Sequence, residues 1–533
     1  MSITIQNVTY RHANNETLFQ DINLSINKGD KVALTGNNGS GKSTLLQIVS
    51  GNLKASAGTV ICENTSYFIP QHFGQYDQMS IAEAIGIKQQ LDALGAIIKG
   101  DVSPDNFTIL NDNWEIEDKA LSALAYWGLD TFSLNQKMES LSGGEKTKVF
   151  LSGIIIHSPH IILMDEPTNH LDSKSRQKLY DFISKSKATM LIVSHDRILL
   201  NQISYIYELN KNGTTAYGGN YEFYKNEKDR TLNSLQEKLI SQEKELRMAR
   251  KEARTIAERK QKQDIRGEKA NLKKRISRMA MNTLQDKAEK SSSKLKEVHA
   301  EKQEDIRQNI SRLRDKLPDI AQMKINFSSS ELHIGRILIT AEKVNFTYEK
   351  EMLWNEPLTF QIKSGDRIAI EGENGAGKTT LLHLITGKIT PSTGKLQRAK
   401  QNFVYIDQEY SIIDNNLNIY EQAQHFNVRH LPEHEIKMIL NRFLFPLTTW
   451  DKHCKSLSGG EKMRLALCCL MINNNTPDIF ILDEPTNNID IQNIEIITAT
   501  IKDYQGTVLV ISHDEYFQKE IGIQERIKLI KKK

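Results

Sequence analysis

Cysteine is scarce in this chain, with four residues among 533. Cys62, Cys454, Cys468 and Cys469 form no CxxC spacing, and the adjacent Cys468 and Cys469 fall in an apolar, helix-like run. They read as buried free thiols, which fits a reducing cytoplasm rather than a disulfide-stapled secreted domain. Long apolar runs are missing as well. The best of them, IIIHSPHIILM from Ile154, is broken by His157, Ser158, Pro159 and His160, so no membrane span is expected. No signal-peptide pattern opens the sequence, and a cytoplasmic location is the expectation.

A strong net charge is also lacking, at +4. The small value hides an asymmetry, because residues 225–325 hold 28 Lys+Arg against 17 Asp+Glu and leave 42 against 49 elsewhere. A basic middle in an otherwise acidic chain points toward a polyanionic partner for that segment. The length exceeds what one hydrophobic core supports, so several domains are expected.

What the chain does have is repetition. Residues 28–51 read KGDKVALTGNNGSGKSTLLQIVSG, residues 364–387 read SGDRIAIEGENGAGKTTLLHLITG, and each copy is followed by LSGGE, then DEPTN, then SHD. GNNGSGKS and GENGAGKT both fit G-x-x-x-x-G-K-[ST] between a strand-like run and a helix-like run. In that context glycines turn successive backbone N–H groups around phosphates, a lysine neutralises the β/γ oxygens and a hydroxyl reaches Mg²⁺. The candidate ATP-binding residues are Gly36, Asn38, Gly39, Ser40, Gly41, Lys42, Ser43 and Thr44, and Gly372, Asn374, Gly375, Ala376, Gly377, Lys378, Thr379 and Thr380. A single such loop could be a glycine-rich turn without ligand; two in strand–loop–helix context leave that reading little room.

IILMDE and IFILDE end strand-like runs in paired carboxylates. One acid of each pair must face metal-bound water and the other the attacking water, which assigns Asp165 and Asp483 to Mg²⁺ and Glu166 and Glu484 to the base role. Strand-end acids often merely cap a turn. Here the spacing argues otherwise, because Glu166 to His195 and Glu484 to His513 are both 29 residues, and each histidine follows an apolar strand. The two histidines are read as γ-phosphate contacts that stabilise transition-state charge.

LSGGE, at Leu141 to Glu145 and Leu457 to Glu461, lies between each P-loop and its acidic strand. With it both halves resemble the ATP-binding cassette. The resemblance implies an ATPase with composite sites: Ser142, Gly143 and Gly144 of one half close on the ATP of the second half, and Ser458, Gly459 and Gly460 on that of the first. It further implies that Gln71 in YFIPQHF and Gln408 in VYIDQEY reach Mg²⁺ and the attacking water. The family's adenine-stacking aromatic corresponds to Tyr348 in VNFTY but to His12 in VTYRH, so stacking area is smaller at the first site.

Two cassettes in tandem without membrane spans, each with DEPTN followed by HLD or NID, resemble the F subfamily of these proteins, as does YGGNYEFYKNEK at Tyr217 to Lys228. That subfamily acts on ribosomes. The resemblance implies ribosomal RNA and tRNA as partners, no transmembrane partner, and a monomer whose own cassettes pair. The linker can be read independently. Leu232, Leu235, Leu239, Gln242, Leu246, Ala249, Ala253 and Ile256 fall on alternating three- and four-residue steps, as do Ile306, Ile310, Leu313 and Leu317 before Pro318. This predicts two antiparallel helices, about 60 Å long for forty residues.

Between them, residues 266–285 carry Lys269, Lys273, Lys274, Arg275 and Arg278 and one acid, Glu268. A basic tip suits insertion among phosphates, although Lys/Glu-rich helices are often only solvated. The expected fold is α/β: cassettes at 1–225 and 326–533 joined by a helical hairpin at 226–325. Gln71 and Leu141 lie 70 positions apart, Gln408 and Leu457 only 49, so part of residues 85–115 is expected to be an insertion, either an arm or an enlarged helical subdomain. A transport motor docking on a separate membrane protein is the rival reading. It leaves the basic hairpin without a role.

Overall fold

Continuous aliphatic runs with no polar alternation suit strands that are covered on both faces. IILMD (Ile161–Asp165) and TMLIV (Thr189–Val193) are buried at every position, as is TVLVI (Thr507–Ile511). The computed structural model describes residues 2–273, 297, 300–314, 333, 335–348, 351–473 and 477–532. They fall into two units, Met1–Glu222 with Met323–Lys533, and Phe223–Gln322.

In the first unit each repeat builds its own mixed α/β body. The N-terminal repeat has a six-stranded sheet in the order Ser66–Ile69, Ile161–Asp165, Thr189–Val193, Lys31–Thr35, Tyr205–Asn210, Gly213–Tyr217, parallel except for the last strand. The C-terminal repeat has five parallel strands in the order Phe403–Ile406, Ile479–Asp483, Thr507–Ile511, Arg367–Glu371, Glu525–Lys528. A three-stranded antiparallel sheet accompanies each, with Ile3–Arg11 or Ile337–Asn345 in the middle. Ile3, Ile5, Phe19, Leu45, Leu163 and Leu191 belong to one core and Ile339, Trp354, Leu381, Ile481 and Leu509 to the other.

This order places three chemical elements side by side. Adjacent parallel strands Ile161–Asp165, Thr189–Val193 and Lys31–Thr35 run, at their carboxyl ends, into the acid pair, the histidine and the P-loop, and the second repeat does the same. Ligands of open parallel sheets bind outside those ends. The signature run opens a helix in both repeats, Gly143–His157 and Gly459–Asn473. Residues 85–115 contain two further helices, Lys88–Ile98 and Pro104–Leu110, which pack on each other. Cys454, Cys468 and Cys469 are buried and Cys62 is half-buried, and all are free. Among the described residues no helix is long and apolar enough to cross a membrane.

The second unit is a helical pair. One helix runs 53 residues, Tyr221–Lys273, longer than the forty anticipated at both ends: YEFYKNEK contains no breaker, and residues 266–273, expected between the helices, continue the helix. Between 229 and 259 the only shielded positions are Leu232, Leu235, Leu239, Gln242, Leu246, Ala249, Ala253 and Ile256, the seam read from the three- and four-residue steps. Ala249, Ile306 and Ile310 bury together against Leu239 and Leu246, and Arg314 pairs with Glu243 at 2.7 Å, which sets residues 300–314 antiparallel to the long helix. Lys269 and Lys273 lie on the described backbone, whereas Lys274, Arg275, Arg278 and Leu317 lie outside the described residues. The seam is narrow, so its few apolar contacts hold the pair. Replacing Ile306 and Ile310 together by Ala should cost about 2 kcal/mol or more in that pair, and hydrogen exchange should quicken across residues 239–256 while the cassette strands stay protected.

Candidate nucleotide sites

The lysine of each P-loop is held by its own loop. Lys42 Nζ donates to the carbonyls of Gly36 and Asn37 at 2.7 and 3.1 Å, and Lys378 Nζ to Gly372 at 2.8 Å. The preceding glycines, Gly41 and Gly377, sit at φ 94° and 86°, and a Cβ there would strike Phe19 or Leu353. Both the backbone angle and the space therefore require glycine. In the second copy Trp354, fully buried, also donates its indole N–H to the carbonyl of Ala376 at 2.9 Å.

Glu166 and Glu484 occupy the left-handed region at φ 49° and 50°, a conformation a glutamate adopts only when its surroundings impose it. Their amides are fixed by the carbonyls at the ends of the neighbouring strands, Val193 at 2.9 Å and Ile511 at 2.8 Å. The carboxyls then meet the histidines: Glu166 Oε1 lies 3.5 Å from His195 Nε2, and Glu484 Oε1 lies 3.3 Å from His513 Nε2. Asp483 accepts from Thr379 at 3.4 Å and Tyr405 at 3.0 Å, and Asp165 is bonded by Ser43.

Burial governs the charges. It pushes Glu166 up to about 8 against the pull of Lys42, and it raises Glu484 against Arg176 and Lys378. The same loss of water lowers both lysines and both histidines, His513 to about 3, so the imidazoles are neutral. Asp165 Oδ1, Glu166 Oε1, Glu484 Oε2 and both ring nitrogens of His195 are buried without a protein hydrogen-bond partner. Such atoms call for a polar ligand. Among the described residues no cluster of His, Cys, Asp or Glu could hold a metal unaided; a hydroxyl, one carboxylate and phosphate oxygens suffice for Mg²⁺, and the Ser43–Asp165 and Thr379–Asp483 pairs fit that need.

LSGGE has a local physical reason as well. Ser142 and Glu145 form a capping box, with the Ser142 amide donating to Glu145 at 2.7 Å, and Ser458 with Glu461 repeats it at 2.8 Å. The glycines between present bare backbone at a helix start, where anions are favoured. Gly144 packs so tightly that a Cβ would lie 2.5 Å from the His170 carbonyl.

The repeats face each other head to tail. One cleft, of about 1430 Å³, is bordered by His12, Asn38, Gly39, Gly41–Thr44, Gln71, Asp165, Glu166 and His195 from the first repeat and by Ser458 and Gly459 from the second. The other, about 980 Å³, has Tyr348, Asn374, Gly375, Gly377–Thr380, Asp483, Glu484 and His513 facing Ser142, Gly143 and Gly144. Gln408 borders both. Gly36, Ser40, Gly372, Ala376 and Gly460 do not border either cleft. Tyr348 is bonded through its hydroxyl to Thr380 at 3.1 Å, and His12 stands edge-on to Tyr10.

Residues that the motifs did not reveal hold the halves together. Asn38 reaches Asp490 and Asn488, Asn374 reaches the His170 carbonyl, and Asn169 bonds Asn488. Ser173 Oγ lies 2.9 Å from His513 Nδ1. Arg197, almost wholly buried, pairs with Glu520 at 2.8 Å and Asp514 at 3.1 Å beside an Asn201–Tyr516 bond. The runs after DEPTN held the only sequence signal for most of them.

A fold of paired P-loop cassettes with signature helices completing each other's clefts defines an ABC-type ATPase. The family described as ABC transporter matches residues 19–169 and 355–487. ABC transporter F family member 5 of Arabidopsis thaliana is 30% identical over 95% of this chain and 72% of its own length. ATP-binding protein Uup of Escherichia coli is 29% identical over 94% and 76%. The archaeal ribosome recycling factor aABCE1, in its complex with the stalk protein aP1, shares the fold with a TM-score of 0.59, at 17% identity over 98% of this chain and 87% of that one. The chain belongs to the ABC family and, within it, to the F group; it is an ATPase.

Because Glu166 is raised, the nucleotide-free protein takes up a proton there on folding between its ordinary 4.5 and about 8. The folded state binds more protons than the unfolded one in that window, so this group's contribution to stability falls as pH rises. His195 works oppositely, since its lowered value costs stability as pH falls below its ordinary 6.5. Glu166→Gln should therefore raise the melting temperature more at pH 8 than at pH 5, by several degrees, in thermal scans without nucleotide. An equal shift at both values would remove Glu166 as the titrating group.

Proposed function

We propose that the protein is a cytoplasmic, ribosome-binding ATPase that acts as a monomer, closing its two cassettes on ATP and releasing them on hydrolysis. The observation that carries the reading is the pair of clefts, each walled by both repeats of a single chain. A ligand that contacts both walls binds the closed arrangement better than the open one, and that differential affinity drives closure. The fold neighbour aABCE1 is a ribosome recycling factor, and the basic helical pair supplies a surface for a polyanion.

Within each cleft Lys42 or Lys378 offsets phosphate charge. Glu166 or Glu484 accepts a proton from the attacking water, and His195 or His513 faces the γ-phosphate. Ser43 with Asp165 and Gln71, and Thr379 with Asp483 and Gln408, would hold Mg²⁺, which when bound supplies charge neutralisation at the β- and γ-oxygens. Ser142–Gly144 and Ser458–Gly460 complete the opposite sites through helix-start amides. His12 and Tyr348 stand at the adenine position.

Glu166→Gln with Glu484→Gln keeps shape and removes both bases. Turnover should drop by roughly a hundredfold or more while ATP still binds, and the protein should co-sediment with ribosomes in an ATP-dependent way. Near-normal hydrolysis in that double variant would sink the base assignment.

The hairpin tip is proposed to insert among ribosomal RNA and tRNA near the tRNA exit and peptidyl-transferase region, either to regulate translation or to protect the ribosome from antibiotics. Changing Lys273, Lys274, Arg275 and Arg278 to Gln removes four cations. The slope of log K against log salt for ribosome binding should shrink by several units if all four engage phosphates, at roughly 0.7–0.9 per contact. An unchanged slope with intact function in cells would leave the tip a solvated turn.

A further inference from the structure

The two clefts share their P-loop lysine, acid pair and histidine and differ in what reaches them from the opposite repeat. After DEPTN the first repeat continues His170, Leu171, Asp172, Ser173, Lys174, Ser175, Arg176, and the second Asn488, Ile489, Asp490, Ile491, Gln492, Asn493, Ile494. Ser173 and Arg176 thus correspond to Ile491 and Ile494. Arg176 borders both clefts, the first from its own repeat and the second from the opposite one, whereas Ile494 borders the first alone, reaching it from the opposite repeat.

Arg176 is 8% exposed. Its Nε donates to the Leu171 carbonyl at 3.0 Å and its Nη1 lies 3.8 Å from Asp196, so the guanidinium is fixed rather than swinging in solvent. Its charge is felt across the interface at Glu484, where after burial it is the largest influence, and at His513. Ser173 meets the same histidine. His513 is consequently held at both ring nitrogens, Nδ1 by Ser173 at 2.9 Å and Nε2 by the Lys378 ammonium at 3.3 Å, with Glu484 Oε1 also 3.3 Å from Nε2. His195 Nε2 lies 3.5 Å from Glu166 Oε1, and neither of its ring nitrogens has a hydrogen-bond partner among the described residues.

We propose that Arg176, with Ser173 beside it, is a positioning residue supplied in trans to the second nucleotide site: it places a fixed cation on the wall facing Glu484 while Ser173 orients the His513 ring, so that both stand in their reacting arrangement when the repeats close. From the opposite repeat the first site meets Ile494 in that place and no guanidinium. Turnover at the second site is therefore the faster of the two and depends on closure through a guanidinium, whose planar fork a hydrocarbon cannot replace. The inference rests on the reading of Glu166 and Glu484 as the two bases, which the double Glu→Gln variant tests by itself.

The experiment is steady-state ATPase of the full chain without ribosomes, in Glu166→Gln protein, where the second site turns over, and in Glu484→Gln protein, where the first does. In the Glu166→Gln background Arg176→Ile should lower kcat by roughly tenfold or more with KM for ATP within about threefold, since the interaction is used in the transition state rather than in binding. Arg176→Lys should recover part of the loss. In the Glu484→Gln background the loss should be at least about fivefold smaller. Equal losses in both backgrounds would mean a general structural role, and a raised KM with kcat kept would mean a simple ATP contact; either overturns the proposal, as does no loss at all. Ser173 is exposed at a helix start, so Ser173→Ala is safe for folding and carries the same comparison with a smaller expected effect if Arg176→Ile proves unstable.

Discussion

A carboxylate withdrawn from water must find a cation or take up a proton, and Glu166 and Glu484 are withdrawn from water at the ends of buried parallel strands. Much of the site answers that constraint. The P-loop lysines lie where they offset the acids while leaning on their own loop carbonyls, the histidines stay neutral beside them, and left-handed backbone at both glutamates aims the carboxyls into the cleft. An arrangement so short of water is poorly satisfied by protein alone, as the unpartnered atoms around Asp165, Glu166 and His195 show. It is matched to a ligand that brings phosphate oxygens, a water and a divalent cation together.

The parts of this site that a sequence displays are those whose chemistry is local. A P-loop lysine, an acid pair at a strand end and a histidine 29 residues later must recur at fixed spacing because one sheet fixes their separation. LSGGE is legible for a second reason, since Ser142 and Glu145 cap the very helix they begin. The helical seam from Leu232 to Ile256 could be read from its period because exposure on every other face is set by solvent. Arg176, Ser173, Asp490 and Arg197 were not legible. Ser173, Asp490 and Arg197 meet partners 340, 452 and 317 residues away on the other repeat, Arg176 faces the opposite cleft from a place set by Leu171 and Asp196, and no local period or propensity records such placements. The extent of the long helix was also missed at its start, where the polar run after Tyr221 continues the helix without a cap to mark it.

Duplication gives two sites with nearly the same inner residues, and divergence is concentrated where the halves touch. Asn38 and Asn374 preserve a pseudo-symmetric pair of contacts with Asn488 and His170. The next turn breaks the symmetry, polar in one half and aliphatic in the other. Tyr405 on Asp483, where the first half has Phe68, and Trp354 under the second P-loop, where it has Phe19, extend the difference to the second site's own walls. The second site is thus the more fully braced in hydrogen bonds.

The buried Arg197, gripped by Asp514 and Glu520, also limits how the halves can part. Parting them at that corner exchanges two charge-assisted hydrogen bonds for water. The ion pair ties the loop after His195 to the loop after His513, so the two histidine strands share one anchored corner of the interface.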